Sequence, residues 1–191
     1  MAHQALYRNK FRLLLFVLTG CAQQQAVIPS LYVSARDGQL QQRSGYLYYY
    51  GNRFSGHVYD LYPNGDTSIT TAYYDGREEG WQQQWYSSGE KMEERFYAQG
   101  KKQGRHRAWW PDGQPKFIYN FEGDLHEGEA KEWYSNGQPY RDFHYHSGQE
   151  DGRQQMWWPD GRLRANYVVK DGEQYGLIGR KLCKNPVNET N

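Results

Sequence analysis

The chain has 191 residues, of which 17% are aromatic, and 23 Lys and Arg stand against 22 Asp and Glu for a formal net charge of +1. A balance this even excludes holding nucleic acid by counterion release, and the aromatic content excludes a disordered chain despite a mean hydropathy of −1.07. With 21 Gly and 18 Tyr, the composition points to strands joined by tight turns rather than a helical bundle; the length fits one domain or one repeat array.

The N-terminus reads as an address and an anchor. Arg8, Lys10 and Arg12 precede an apolar core from Leu13 to Leu18, too short to span a bilayer. Leu18-Thr19-Gly20-Cys21 follows and resembles the lipobox of bacterial lipoproteins. The resemblance implies that residues 1–20 are a signal peptide. It also implies that Cys21 carries the lipid and that residues 21–30 form a lipid-anchored tether. Ala22, in place of Asp, implies sorting to the outer membrane, facing the periplasm. The competing reading is an ordinary signal sequence with a chance cysteine. With Cys21 acylated, Cys183 lacks an intrachain partner, so neither a disulfide framework nor a cysteine zinc site is expected.

From Gly56 onward the sequence is periodic. Glycine recurs every 24 residues at 56, 80, 104, 128, 152 and 176, and a second glycine recurs at 65, 89, 113, 137 and 161. Paired bulky residues stand between them: Leu61-Tyr62, Trp85-Tyr86, Trp109-Trp110, Trp133-Tyr134 and Trp157-Trp158. A third glycine closes four units at 76, 100, 148 and 172; the third unit departs, with Gly123 one place early. Such periods mean arrays. Five full units occupy residues 56–175, a truncated capping unit and tail occupy 176–191, and 31–55 reads as a degenerate leading unit with turns at Asp37-Gly38 and Gly51.

Each unit reads as a β-hairpin. Tyr62-Pro63-Asn64-Gly65, Trp110-Pro111-Asp112-Gly113 and Trp158-Pro159-Asp160-Gly161 place Pro, Asn or Asp, and Gly where a type I turn with a G1 bulge needs them. Successive hairpins pair through the turn at the third glycine, giving an all-β antiparallel meander. Counting the first glycine of a unit as position one, and pairing Tyr62 with Asp66, strict alternation puts positions six, fourteen, sixteen and eighteen on one packed face. That face carries Leu61, Trp85, Trp109, Trp133 and Trp157 with Phe117, Tyr119, Phe121, Phe143, Tyr145 and Tyr167. Position seven is expected to point the other way, among Asp60, Glu90, Lys116 and Arg164. Its residues, Tyr62, Tyr86, Trp110, Tyr134 and Trp158, form an aromatic ladder suited to binding a protein partner. A ladder that only stabilises the sheet accounts for the same residues.

This pattern resembles the MORN family in its bacterial variant form, carried by Gly80-Trp81, Trp85-Tyr86 and Gly89 and by Trp133-Tyr134-Ser135-Asn136-Gly137. The resemblance implies an elongated, twisted sheet of stacked 24-residue hairpins. It also implies kinship with YwqK-type antitoxins and with lipid-anchored immunity proteins that neutralise toxins or secreted effectors. Other members of the family are scaffolds or lipid binders.

No enzyme is expected. There is no Gly-x-Ser-x-Gly elbow and no phosphate loop. Glu78-Glu79 and Glu93-Glu94 are neighbours on strands and face opposite ways. Asp142, His144 and His146 share a strand face, which reads as a solvated edge rather than a metal site, and no cofactor is expected. Three readings stand: a lipid-anchored module that occludes a toxin, an envelope scaffold, and a binder of lipid headgroups or glycans.

Overall fold

The computed structural model describes residues 26–178; the segment expected to be a signal peptide, Cys21 and Cys183 lie outside the described residues. Every element in it is a strand: β1 (Tyr32–Ser34), β2 (Leu40–Arg43), β3 (Tyr46–Tyr49), β4 (Asn52–Arg53), β5 (Gly56–Leu61), β6 (Thr67–Tyr74), β7 (Arg77–Trp85), β8 (Lys91–Ala98) and β9 (Lys101–Lys102). These are followed by β10 (Gly104–Trp109), β11 (Pro115–Glu122), β12 (Leu125–His126), β13 (Gly128–Trp133), β14 (Pro139–His146), β15 (Gln149–Glu150), β16 (Gly152–Trp157), β17 (Leu163–Lys170) and β18 (Glu173–Leu177). From β5 to β18 they form an open antiparallel meander, and β1 joins parallel to β5, so the 15-stranded sheet is mixed.

The hairpin turns form as their residues dictate. Trp110 N–H donates to the Gln114 carbonyl at 2.8 Å, and Gly113 N–H to the Trp110 carbonyl at 2.9 Å. The other turns are two-residue type I′ loops, which need φ above zero at both residues. Asp75-Gly76, Gln99-Gly100, Ser147-Gly148 and Asp171-Gly172 all meet that need. So does Gly123-Asp124, at φ 57° and 75°, which explains the early glycine: the turn accepts glycine at either place. These turns are stitched along one margin of the sheet, with Gly100 N–H donating to the Glu78 carbonyl, Asp124 N–H to Lys102 and Gly148 N–H to His126.

Two bulges per hairpin set the faces. On the returning strand, Trp109 opposes Pro115 but Ala108 opposes Phe117, so Lys116 is an extra residue; Tyr140 and Arg164 occupy the same place later in the chain. The second bulge joins hairpins. Tyr97 opposes Lys102 and Glu94 opposes Arg107, so the following strand carries two residues more, and Gly104 turns the corner at φ 67°. The widened ladder leaves the Phe96 carbonyl to be met by Gln103 N–H and by the His106 Nε2–H, both at 2.9 Å. Forty-eight residues on, Gln154 takes the role of His106. Its Nε2 donates to the His144 carbonyl at 2.8 Å, and its Oε1 accepts from His144 N–H at 3.1 Å.

The first bulge overturns the expected faces. Position six does not share a side with positions fourteen to eighteen, because the extra residue reverses the alternation between them. Phe117, Tyr119 and Phe121 lie opposite Ala108, His106 and Gly104, whereas Trp109 goes to the other side with Arg105 and Arg107. The packed aromatic face therefore holds His106, Ala108, Phe121, Phe143, Ala165, Tyr167 and Val169, all buried. The charged face carries Trp85, Trp109, Trp133 and Trp157, half-buried.

Residues 31–55 do not form a hairpin of the same kind. Tyr50-Gly51 is a type I′ turn, but a further turn at Ser44-Gly45 creates a separate three-stranded sheet, β2–β3–β4. It encloses a core of Val33, Leu47 and Phe54 at the first end of the large sheet.

Candidate partner-binding site

The ladder residues Tyr62, Tyr86, Trp110, Tyr134 and Trp158 directly precede the type I turns. The first four rings reach across to the next hairpin. Tyr62 Oη donates to the Trp85 carbonyl at 2.7 Å, Tyr86 Oη to Trp109 at 2.8 Å, and Tyr134 Oη to Trp157 at 3.0 Å. Trp110 Nε1–H makes the equivalent contact to Trp133 at 3.3 Å. These four are half-buried, and burial raises the Tyr86 and Tyr134 hydroxyls above the ordinary tyrosine value. Trp158 ends the series at 44% exposure. The ladder thus seams one margin of the sheet while its rings stay partly exposed.

The bulged residue sits beside the ladder residue of its own hairpin. Lys116 Nζ lies 4.7 Å from the Trp110 ring centre, Arg164 lies 4.5 Å from that of Trp158, and Tyr140 packs against Tyr134 at 5.0 Å. Between the two central hairpins Trp110, Tyr134 and Tyr140, with Phe117 and Tyr119, line a recess of about 340 Å³. Its polar floor is Glu132, which accepts from Arg141 Nε at 2.7 Å and from the Tyr119 hydroxyl. Burial, reinforced by this bond to Glu132, pushes the Tyr119 hydroxyl well above its ordinary value. Trp110, Phe117, Tyr119 and Tyr134 were legible as aromatics, and Lys116 as a neighbour of the ladder. Tyr140 was not, because the residues at the bulge (Ser68, Met92, Lys116, Tyr140, Arg164) share no chemistry.

A column of rings, Tyr97, His106, Phe121, His126 and Tyr145, runs beside the recess, with centres 4.3–5.9 Å apart. Burial lowers both imidazoles below the ordinary histidine value. On the charged face Glu94 is buried between Lys91, at 2.9 Å, and Arg107. Burial works to raise its carboxyl, and the two cations outweigh burial and hold it below the usual range. Glu93 turns to the aromatic face and pairs with Arg95 at 2.5 Å.

Asp142, His144 and His146 are not gathered around a point. His144 Nδ1–H donates to the Arg153 carbonyl at 2.9 Å, and His146 Nδ1 bonds the Glu127 carboxylate at 3.0 Å. That bond raises the His146 pKa. Among the described residues no group of three or more His, Cys, Asp or Glu could hold a metal ion, and no helix is long and apolar enough to cross a membrane. No protein-family model and no curated protein matches the chain.

Proposed function

We propose that this chain is a lipid-anchored protein-binding module, built as a twisted array of stacked 24-residue MORN-like hairpins and held by Cys21 to the outer membrane, facing the periplasm. Its task is immunity: it neutralises a toxin or secreted effector, such as a phospholipase, by occluding it and without a reaction of its own. The observation that carries the reading is the recess between Trp110, Tyr134 and Tyr140. It offers partly exposed aromatic rings on a hydrogen-bonded sheet, with the Lys116 cation over the Trp110 ring. Large rings held on strands lose little entropy when a partner covers them, and such residues dominate binding hot spots.

The test is capture from periplasmic extract by the wild-type chain and by Tyr140→Ala, followed by identification of the bound protein. That protein, directed to the periplasm, should slow growth, and co-expression of the wild-type chain should restore it. Tyr140→Ala is chosen because Tyr134, unlike Tyr140, also carries a bond to the next hairpin. Equal capture and equal protection by wild type and Tyr140→Ala, at unchanged melting temperature, would remove the recess from the interface.

A further inference from the structure

The two ends of the large sheet are finished differently. At the first end β1 covers the outer side of β5, and the small sheet closes over Val33, Leu47 and Phe54. At the last end β18 pairs with β17 and has no strand on its other side among the described residues. All of β18 is exposed. Val168 opposes Tyr175 on the charged face, Leu177 follows two residues on, and the three are 47%, 57% and 55% exposed. An open strand edge flanked by exposed apolar side chains is a template for pairing.

We infer that β18 pairs antiparallel with β18 of a second copy of the chain, about a two-fold axis at Gly176. The two-residue turn at Asp171-Gly172 makes Lys170 and Glu173 a hydrogen-bonded pair. By alternation, Gln174 and Gly176 aim their backbone groups at the open side. An axis at Gly176 then sets Tyr175 opposite Leu177 of the second copy, and Leu177 opposite its Tyr175. Glu173 lies outside these pairs, so no like charges face each other. Each copy supplies the exposed apolar side chain, Leu177 or Tyr175, that faces the one its partner exposes, and this favours a second copy. The contact also closes: both open edges are used and both capped ends point outward.

The test is sedimentation equilibrium of the full chain in density-matched detergent. The wild type is expected to be a dimer. Tyr175→Lys and Leu177→Glu should each weaken self-association at least about tenfold, a loss of about 1.4 kcal/mol. Mixing the two variants should restore a mixed dimer, because the introduced lysine and glutamate then face each other. Circular dichroism checks that each variant is folded. If either variant unfolds, hydrogen exchange in the wild type decides: Gln174 and Gly176 amides should gain protection with protein concentration. A monomeric wild type, a dimer indifferent to both substitutions, a mixture no tighter than the single variants, or concentration-independent exchange would each overturn the inference.

Discussion

Replacing Gln154 by Leu isolates the joint between two hairpins. Gln154 is fully buried, at 0% exposure, and Leu is close to it in shape without the amide. The His144 carbonyl keeps a donor, because Asp151 N–H reaches it at 2.9 Å. The His144 N–H loses the Gln154 Oε1 that receives it at 3.1 Å. One orphaned buried donor costs about 1–3 kcal/mol, and removing the amide's own desolvation offsets part of that. A net loss of about 1–2 kcal/mol follows, which lowers the melting temperature by roughly 2–8 °C in a chain of this size. Gln154→Ala should cost more, since a cavity is added. Gln154→His should recover part of the loss, because His106 makes the equivalent bond 48 residues earlier. The assay is a thermal melt with hydrogen exchange read at the His144 amide. A Leu variant with an unchanged melt and an unchanged His144 exchange rate would refute the bridging role.

Four further outcomes are expected. Gly113→Val meets open space, so its cost is the left-handed backbone at φ 81° alone, about 1–2 kcal/mol; an unchanged melt would count against the turn. Tyr134→Phe loses its bond to the Trp157 carbonyl and should cost about 1 kcal/mol by urea titration. Trp109→Ala, half-buried on the charged face, should cost roughly 2 kcal/mol rather than the 3–5 of a fully buried aromatic, with partner capture unchanged; a loss near 5 would put Trp109 back in the core. His106 and His126 favour their neutral forms in the fold, so stability is full above the unfolded histidine pKa near about 6.5 and falls as pH drops through the lower folded values. His106→Gln should flatten that decline in melts recorded between about pH 7.5 and pH 5.

The turns were legible because they impose local conformational demands that only a few residue types meet. Pro111, Asp112 and Gly113 announce their hairpin, and even Gly123 fits once the turn needs φ above zero at two successive residues. The faces were not legible. Alternation carries a sorting error forward across any unseen bulge, and Lys116 looks like an ordinary strand residue in sequence. The joint was hidden for a related reason. Val58, Gln82, His106, Ala130 and Gln154 occupy one place in the register, and only two of them bond the neighbouring hairpin's carbonyl. The small first sheet escaped notice because its pairings span two to four residues each.

The seams along the two margins have a mechanical consequence. On one margin the turn amides of Gly76, Gly100, Asp124 and Gly148 bond the backbone near the preceding turn; on the other the rings of Tyr62, Tyr86, Trp110 and Tyr134 bond the backbone of the following hairpin. Through the middle of the array the hairpins are thus tied to their neighbours at both margins as well as through the ladder, so the ribbon resists shear there. These ties recur 24 residues apart, at Tyr62, Tyr86, Trp110 and Tyr134. Removing 24 residues from the middle would rejoin both seams in register and shorten the ribbon by two strand spacings, about 9–10 Å. Removing 23 or 25 would leave both margins out of step. The length of the ribbon can therefore change in whole hairpins, each step keeping both seams in register.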